Sequence, residues 1–220
     1  MITGQTLLTL SMAILITAMA TVEIRTLRIA AWGYLVNSLL LCLLIAACGR
    51  LYGNHGLYLW ATTCLIFKVL LIPWLLLRFA RGLPRIEHKP IPGFVLSMIL
   101  MTVIIFVLFQ VFRGSIAGVA PSVREEPLRS LFAGAATLFS LGIWTLLSRR
   151  DLIKIAIGLA LMENGVHMIL LALAPQLRES TMIGILINAA LAVFMLLYLG
   201  ADIYRVFGTT DSALLSELKR

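Results

Sequence analysis

Charged residues are scarce in this chain. Asp, Glu, Lys and Arg make up 13% of its 220 residues, whereas hydrophobic residues make up 61%. So apolar a composition excludes an ordinary soluble domain and places the chain in the membrane class. The net charge of +8 does not indicate nucleic-acid binding, because the basic residues lie between hydrophobic stretches, where they set membrane orientation. We therefore expect a lipid bilayer and no nucleic-acid partner.

Cysteine is also rare. The three cysteines, Cys42, Cys48 and Cys64, lie in or at the edge of apolar stretches, and none has CxxC spacing. This pattern gives no basis for a disulfide or metal framework, and we interpret the cysteines as small packing residues. The N-terminus lacks the basic start and the small-residue cleavage site of a signal peptide, so the first hydrophobic stretch is expected to be retained.

Seven hydrophobic stretches are each long enough to cross a bilayer, whose core of about 30 Å needs roughly 20 residues as a helix. Because backbone groups in lipid need internal hydrogen-bond partners, each stretch is predicted to be helical. The sequence therefore predicts an all-α, polytopic membrane helix bundle, with residues 1–220 in a single integral membrane domain. The predicted spans are about 3–23, 29–48, 57–78, 92–112, 129–147, 152–174 and 182–204.

The basic residues predict the orientation, because cytoplasmic loops carry an excess of Lys and Arg. Five lie on the side of the N-terminus and twelve on the side of the C-terminus, so we expect the N-terminus outside and the C-terminus inside. The five are Arg50, Arg113, Arg124, Arg129 and Arg178. The twelve are Arg25, Arg28, Arg78, Arg81, Arg85, Lys89, Arg149, Arg150, Lys154, Arg205, Lys219 and Arg220.

Two ionisable residues, Glu163 and Lys68, lie near the centres of predicted spans. A charge at the bilayer centre costs roughly 2.5–3.5 kcal/mol on insertion scales, so such residues usually face a protein interior or a water-filled path. His167 follows Glu163 by one helical turn, and a carboxyl and an imidazole at low dielectric can exchange protons. We therefore predict a proton or ion relay, in which Glu163 shuttles a proton, His167 tunes or relays it, and Lys68 responds to a charge on a partner.

Structural roles for the same residues stay open. Glu163 and His167 would then only fix helix packing, and Lys68 would form a salt bridge to an acid of a neighbouring subunit. Pro73 follows Lys68 by five residues and removes a backbone hydrogen bond, which predicts a kink near Lys68.

Four further polar residues within the spans are candidates for a secondary polar path, although hydrogen bonds that only join helices are the alternative. They are Asn164 beside Glu163, Asn37 and Tyr34 one turn apart in the second span, and Asn188 in the last.

The C-terminal part of the chain, residues 129–220, resembles a known three-helix membrane subunit. The run SRRDLIKIAIGLALMENGVHMIL, preceded by LFAGAATLFSLGIWTLL, resembles the K-type subunit of respiratory complex I and the C-type subunit of Mrp cation/proton antiporters. Arg149 and Arg150 match the basic pair of those proteins, and Gly158, Leu159 and Asn164 match their core.

Over its whole length the chain resembles the seven-span component E of hydrogenase-4-type complexes. The segments FKVLLIPWLL, SRRDL, GLALMENGVH and FGTTDSALLSELK carry this resemblance. It implies a membrane-arm subunit of a complex I-related, energy-converting complex in the bacterial inner membrane. It would be a non-catalytic subunit that takes part in proton or sodium translocation coupled to electron transfer elsewhere.

The resemblance also implies partners. They are antiporter-like membrane-arm subunits and a soluble redox arm with nickel–iron or iron–sulfur subunits, with no cofactor in this chain. The alternatives are a structural scaffold that links the redox arm to the antiporter-like subunits, or a subunit of a Mrp-like antiporter or ion-coupled uptake assembly.

The sequence departs from the complex I subunit at both membrane glutamates of that subunit. Ala160 stands where the first is expected, and Glu163 lies three residues later on a similar helix face. The second falls near residues 188–190, where this chain has no acid, and Lys68 is the candidate for the missing ionisable group.

Overall fold

The computed structural model describes residues 4–82, 93–115, 126–174 and 179–208, with side chains in the last segment from residue 184 onward. The tail from residue 209, which carries part of the resemblance, lies outside these residues. So do six of the basic residues used to predict the orientation. They are Arg85, Lys89, Arg124, Arg178, Lys219 and Arg220.

Seven helices in the described residues are long and apolar enough to cross a membrane, which confirms the predicted all-α, seven-span architecture. The orientation of the termini stays a prediction. The helices are α1 (Gly4–Glu23), α2 (Leu27–Tyr52), α3 (Gly56–Ala80), α4 (Phe94–Ser115), α5 (Leu128–Ser148), α6 (Leu152–Leu173) and α7 (Glu179–Phe207).

Helix α3 has an irregular centre. Its α-helical ends, Gly56–Cys64 and Ile72–Ala80, flank a π-helical segment, Leu65–Leu71, in which the Ile72 N–H donates to the Phe67 carbonyl. Pro73 follows directly and has no N–H to donate. The sequence predicts a kink near Lys68, and the structure places a π-helical segment there.

Helices α5 and α6 pack at very close range through glycine. A Cβ atom at Gly142 would lie 2.6 Å from the Met162 backbone, and one at Gly165 would lie 2.6 Å from the Phe139 nitrogen. Because only glycine allows backbones to approach so closely, these positions bring α6 into the centre of the bundle.

The two ends of the bundle are set by the order of the helices. Glu23 at the end of α1, Ser148 at the end of α5 and Leu152 at the start of α6 share one end, here called the α1-exit end. There Asp151 caps α6, because its carboxylate accepts from the Ile153 N–H at 2.9 Å. Helix α4 lies at the periphery, since only 11% of its most apolar stretch is buried.

Candidate functional site

Lys68 and Glu163 form an ion pair inside the bundle. The Lys68 Nζ lies 3.1 Å from Glu163 Oε1, and the side chains are 0% and 9% exposed. The acid that pairs with Lys68 therefore belongs to the same chain, whereas the sequence suggested an acid of a neighbouring subunit. A paired carboxylate and ammonium give the site no net charge, which lowers the cost of burying either group.

His167 contacts the same carboxylate oxygen, as the spacing of one turn on α6 predicts. Its Nε2 lies 3.1 Å from Glu163 Oε1, and its other ring nitrogen, Nδ1, accepts a hydrogen bond of 3.1 Å from the Trp60 indole N–H. An indole nitrogen can only donate, so Nδ1 carries no proton in this arrangement. His167 is therefore neutral, with its proton on Nε2 directed at Glu163.

The sequence left two roles open for His167, which are to tune Glu163 or to relay its proton, and this geometry distinguishes them. To take up a second proton, the imidazole must protonate Nδ1 and lose the bond from Trp60. Trp60 and His167 are 2% and 0% exposed, so solvent cannot replace that bond. The arrangement favours a tuning role, in which His167 donates to Glu163.

Two asparagines continue the network across three helices. Lys68 Nζ donates to Asn164 Oδ1 at 2.8 Å, and Asn164 Nδ2 donates to Asn37 Oδ1 at 3.0 Å. Asn37 Nδ2 then donates to the Ile14 carbonyl at 2.7 Å and to the Thr17 hydroxyl at 2.9 Å. The mid-span cluster, defined here as Lys68, Glu163, Asn164, His167, Trp60 and Asn37, thus joins α3, α6 and α2 and reaches α1.

One oxygen of the cluster carries no bond. Glu163 Oε2 is buried and has no hydrogen-bond partner among the described residues, because Lys68 and His167 both contact Oε1. The nearby Tyr34 hydroxyl, fully buried on α2, likewise has no partner there. A carboxylate oxygen without a donor can bind a proton while the existing bonds to Oε1 stay in place.

Asn188 is not brought into this cluster. It lies on an exposed face of α7 and makes no contact with the other candidates in the part of the chain that the structure describes. Its position on α7, next to the outward-facing Ile187 and Leu191, separates it from the interior path proposed from the sequence. Of the seven candidates, five share the network and Tyr34 lies buried beside it.

The sequence analysis missed Trp60 and the α1 residues Ile14 and Thr17. Trp60 precedes Lys68 by eight residues, about two helical turns, which places both on one helix face and was a usable signal. Ile14 contributes only its backbone carbonyl, and no pattern of residue types predicts such a contact.

The described residues hold no group of three or more His, Cys, Asp or Glu side chains placed to bind a metal ion. Cys42, Cys48 and Cys64 are buried and form no disulfide with one another. The expectation that this chain carries no cofactor stays a prediction.

Comparisons with known proteins follow the resemblance seen in the sequence. The family model of NADH-ubiquinone/plastoquinone oxidoreductase chain 4L matches residues 130–220. Hydrogenase-4 component E of Escherichia coli strain K12 is 30% identical over 210 residues, which cover 93% of this chain and 93% of that protein. The proteins of the same description from Escherichia coli O157:H7 and Shigella flexneri match to the same extent. No solved structure matches the chain.

Proposed function

The chain belongs to the family of hydrogenase-4 component E, and from this premise we propose that it takes part in proton or sodium translocation coupled to electron transfer in other subunits. It is a multi-pass membrane subunit of a complex I-like complex. Its location is the bacterial inner membrane. Its partners are antiporter-like membrane subunits and a soluble redox arm with nickel–iron or iron–sulfur subunits.

The observation that carries the proposal is the buried Lys68–Glu163 pair with its open carboxylate oxygen. A charge pair buried in a membrane is expensive, and such residues commonly mark ion pathways. Both groups lie near the middle of their helices, so the pair divides the bundle into two halves. A proton that reaches Glu163 from one half can leave toward the other.

The chemistry of one cycle follows from the contacts. When Glu163 Oε2 takes up a proton, the carboxyl becomes neutral and Lys68 loses its counter-charge. The ammonium stays bonded to Asn164 Oδ1 at 2.8 Å, and its uncompensated charge attracts an anion on a neighbouring subunit. Loss of the proton restores the pair. His167 holds Glu163 Oε1 throughout, because Trp60 fixes its tautomer.

A scaffold is the second candidate function, and one observation favours it. The mid-span cluster ties α1, α2, α3 and α6 together through buried bonds, which is also what a purely structural network does. In that case the charges only fix the bundle that links the redox arm to the pumping subunits.

Glu163→Gln separates the two functions. The amide keeps the shape of the side chain but cannot exchange a proton. We would reconstitute the purified complex in liposomes and measure assembly, electron transfer and ion translocation in the same sample. Intact assembly and electron transfer with loss of translocation support the relay. Normal translocation overturns it, and failed assembly favours the scaffold.

The chain offers a matched control in Glu126→Gln. Glu126 also forms an ion pair, with Arg113 at 3.0 Å, but the two side chains are 50% and 48% exposed. Its replacement should leave all three measurements unchanged.

A further inference from the structure

A second buried ion pair lies at the α1-exit end, outside the mid-span cluster. Arg149 Nη2 lies 2.7 Å from Glu23 Oε1, and the side chains are 1% and 8% exposed. The Ser97 hydroxyl donates to the same oxygen at 2.8 Å. These residues, here called the exit cluster, join the end of α1, the start of α4 and the junction of α5 and α6.

A buried cation lies beside the exit cluster. Lys154 is 0% exposed, and its Nζ donates to the backbone carbonyls of Thr21, Val22 and Ile24 at 3.0, 2.8 and 2.5 Å. These carbonyls form the C-terminal end of α1, where the helix dipole favours a positive charge. Lys154 therefore anchors the segment that presents Glu23.

Polar groups connect this end to the middle of the bundle. Asn37 of the mid-span cluster donates to the Thr17 hydroxyl, the Thr21 hydroxyl donates to the Thr17 carbonyl at 2.7 Å, and the Thr21 carbonyl accepts from Lys154. Lys154 and Glu163 are nine residues apart on α6, roughly 14 Å at 1.5 Å per residue. Thr17 and Thr21 of α1 thus place polar groups within this interval.

The two clusters share one chemical feature. Each holds a carboxylate that makes its bonds through Oε1 and leaves Oε2 buried without a partner among the described residues. Each also has one cation directly paired with that carboxylate. A structural salt bridge would gain by satisfying both oxygens, because an unsatisfied buried polar atom costs free energy. An open oxygen in both places instead suits proton uptake.

We propose that Glu23 is a second proton-exchanging carboxyl of this chain, and that water molecules carry protons between it and Glu163 past the polar groups of α1 and α2. This inference rests on the proposed translocation function. In the transfer, an O–H bond breaks at one carboxyl and forms at the other, so one gains a negative charge as the other loses it. Arg149 stabilises the ionised form of Glu23.

Carbodiimide labelling of the wild-type complex tests this directly. Dicyclohexylcarbodiimide adds to a protonated carboxyl in an apolar setting and leaves a stable acylurea, which peptide mass spectrometry locates. We expect label on Glu23 as well as on Glu163, with less label on both as the pH rises. Label on Glu163 without label on Glu23 at any pH overturns the inference and leaves the proposed function standing.

The charged groups around Glu23 bear on that pH dependence. In the described residues they include Arg149, paired with it, Lys154, bonded to the carbonyls that flank it, Arg25, whose guanidinium lies over the Phe94 ring 5.4 Å from its centroid, and the buried acid Asp151, which caps α6 at the same end.

A double variant supplies the functional readout. Glu23→Gln with Arg149→Gln removes the acid without leaving an unpaired charge. We expect the complex to assemble and transfer electrons but to lose ion translocation. Normal translocation by the assembled variant overturns the inference, and the labelling experiment decides if the variant does not assemble. The matched control is Glu126→Gln with Arg113→Gln. That exposed Glu–Arg pair at the opposite end also bonds a serine, Ser130, and its loss should change nothing.

Discussion

Lys68 Nζ lies 3.1 Å from Glu163 Oε1, although the two residues come from different helices and stand 95 positions apart in the sequence. The pair is buried and its ammonium also bonds Asn164, so the contact is a specific arrangement of α3 against α6. Its energetics can be tested apart from the role in translocation that we propose for it.

Lys68→Met should destabilise the chain by about 3–5 kcal/mol, because it leaves a buried carboxylate without its counter-charge. Adding Glu163→Gln should recover most of the loss, since the second change removes the stranded charge. The free energy of unfolding in mixed detergent micelles measures both. Equal stability of the single and double variants contradicts the prediction. Arg113→Met, which breaks an exposed pair, should cost no more than about 1 kcal/mol.

Trp60→Phe should change the pH profile of translocation. The replacement removes the N–H that occupies His167 Nδ1, so the imidazole becomes able to bind a second proton and to pair with Glu163 as a cation. We expect translocation to fall on the acid side of neutrality, where the wild type keeps a neutral imidazole. Trp144→Phe is the matched control, because the buried Trp144 indole N–H has no partner among the described residues. Identical pH profiles for the wild type and Trp60→Phe would contradict the conclusion that Trp60 fixes the tautomer of His167.

Gly165→Ala should separate α5 from α6 next to the candidate site. The added Cβ would lie 2.6 Å from the Phe139 nitrogen and 2.8 Å from its Cα, and overpacking of this kind costs about 1–3 kcal/mol. Gly184→Ala is the control, since a Cβ there meets nothing within 4 Å. There alanine should be neutral or slightly stabilising, because it forms helix better than glycine. Thermal unfolding of both variants measures the difference, and equal melting temperatures would contradict it.

The exposed pair of Glu126 and Arg113 gives a prediction about acid pH. Partial burial raises the pKa of the Glu126 carboxyl, but hydrogen bonds from Ser130 and Arg113 and the charge of Arg113 outweigh it and bring the pKa below the usual 4.5. A lowered pKa means that the pair stabilises the fold above pH 4.5 and ceases to do so as the pH falls through the lowered value. Thermal unfolding of Glu126→Gln should therefore show a shallower loss of stability below pH 4.5 than the wild type. If the melting temperatures of the wild type and Glu126→Gln fall in parallel as the pH decreases, the pair contributes nothing to stability.

The sequence alone predicted the features that depend on a single helix. Length and hydropathy predicted seven helices, and the spacing of four residues predicted the contact between Glu163 and His167. The helical period of side chains and the length of a hydrophobic segment are properties of one helix, so predictions from them need no knowledge of the neighbouring helices.

Contacts between helices lay beyond such reasoning. The pairing of Lys68 with Glu163 depends on how α3 rotates against α6, and the π-helical segment sets that rotation. Glu23 was missed because a glutamate at a helix end resembles an ordinary interfacial residue until Arg149 and Ser97 are seen to enclose it. Asn188, a polar residue in mid-span, faces outward from this chain, which the sequence alone did not indicate.

The π-helical segment of α3 has a mechanical consequence. The Ile72 N–H is taken by the Phe67 carbonyl and Pro73 has no N–H, so the carbonyl of Lys68 loses both of the helical donors that ordinarily reach it. The backbone of α3 therefore lacks a helical hydrogen bond at Lys68, which carries the buried ammonium. A bend of α3 at this segment would move Lys68 relative to Glu163 without requiring the α-helical segments Gly56–Cys64 and Ile72–Ala80 to unfold.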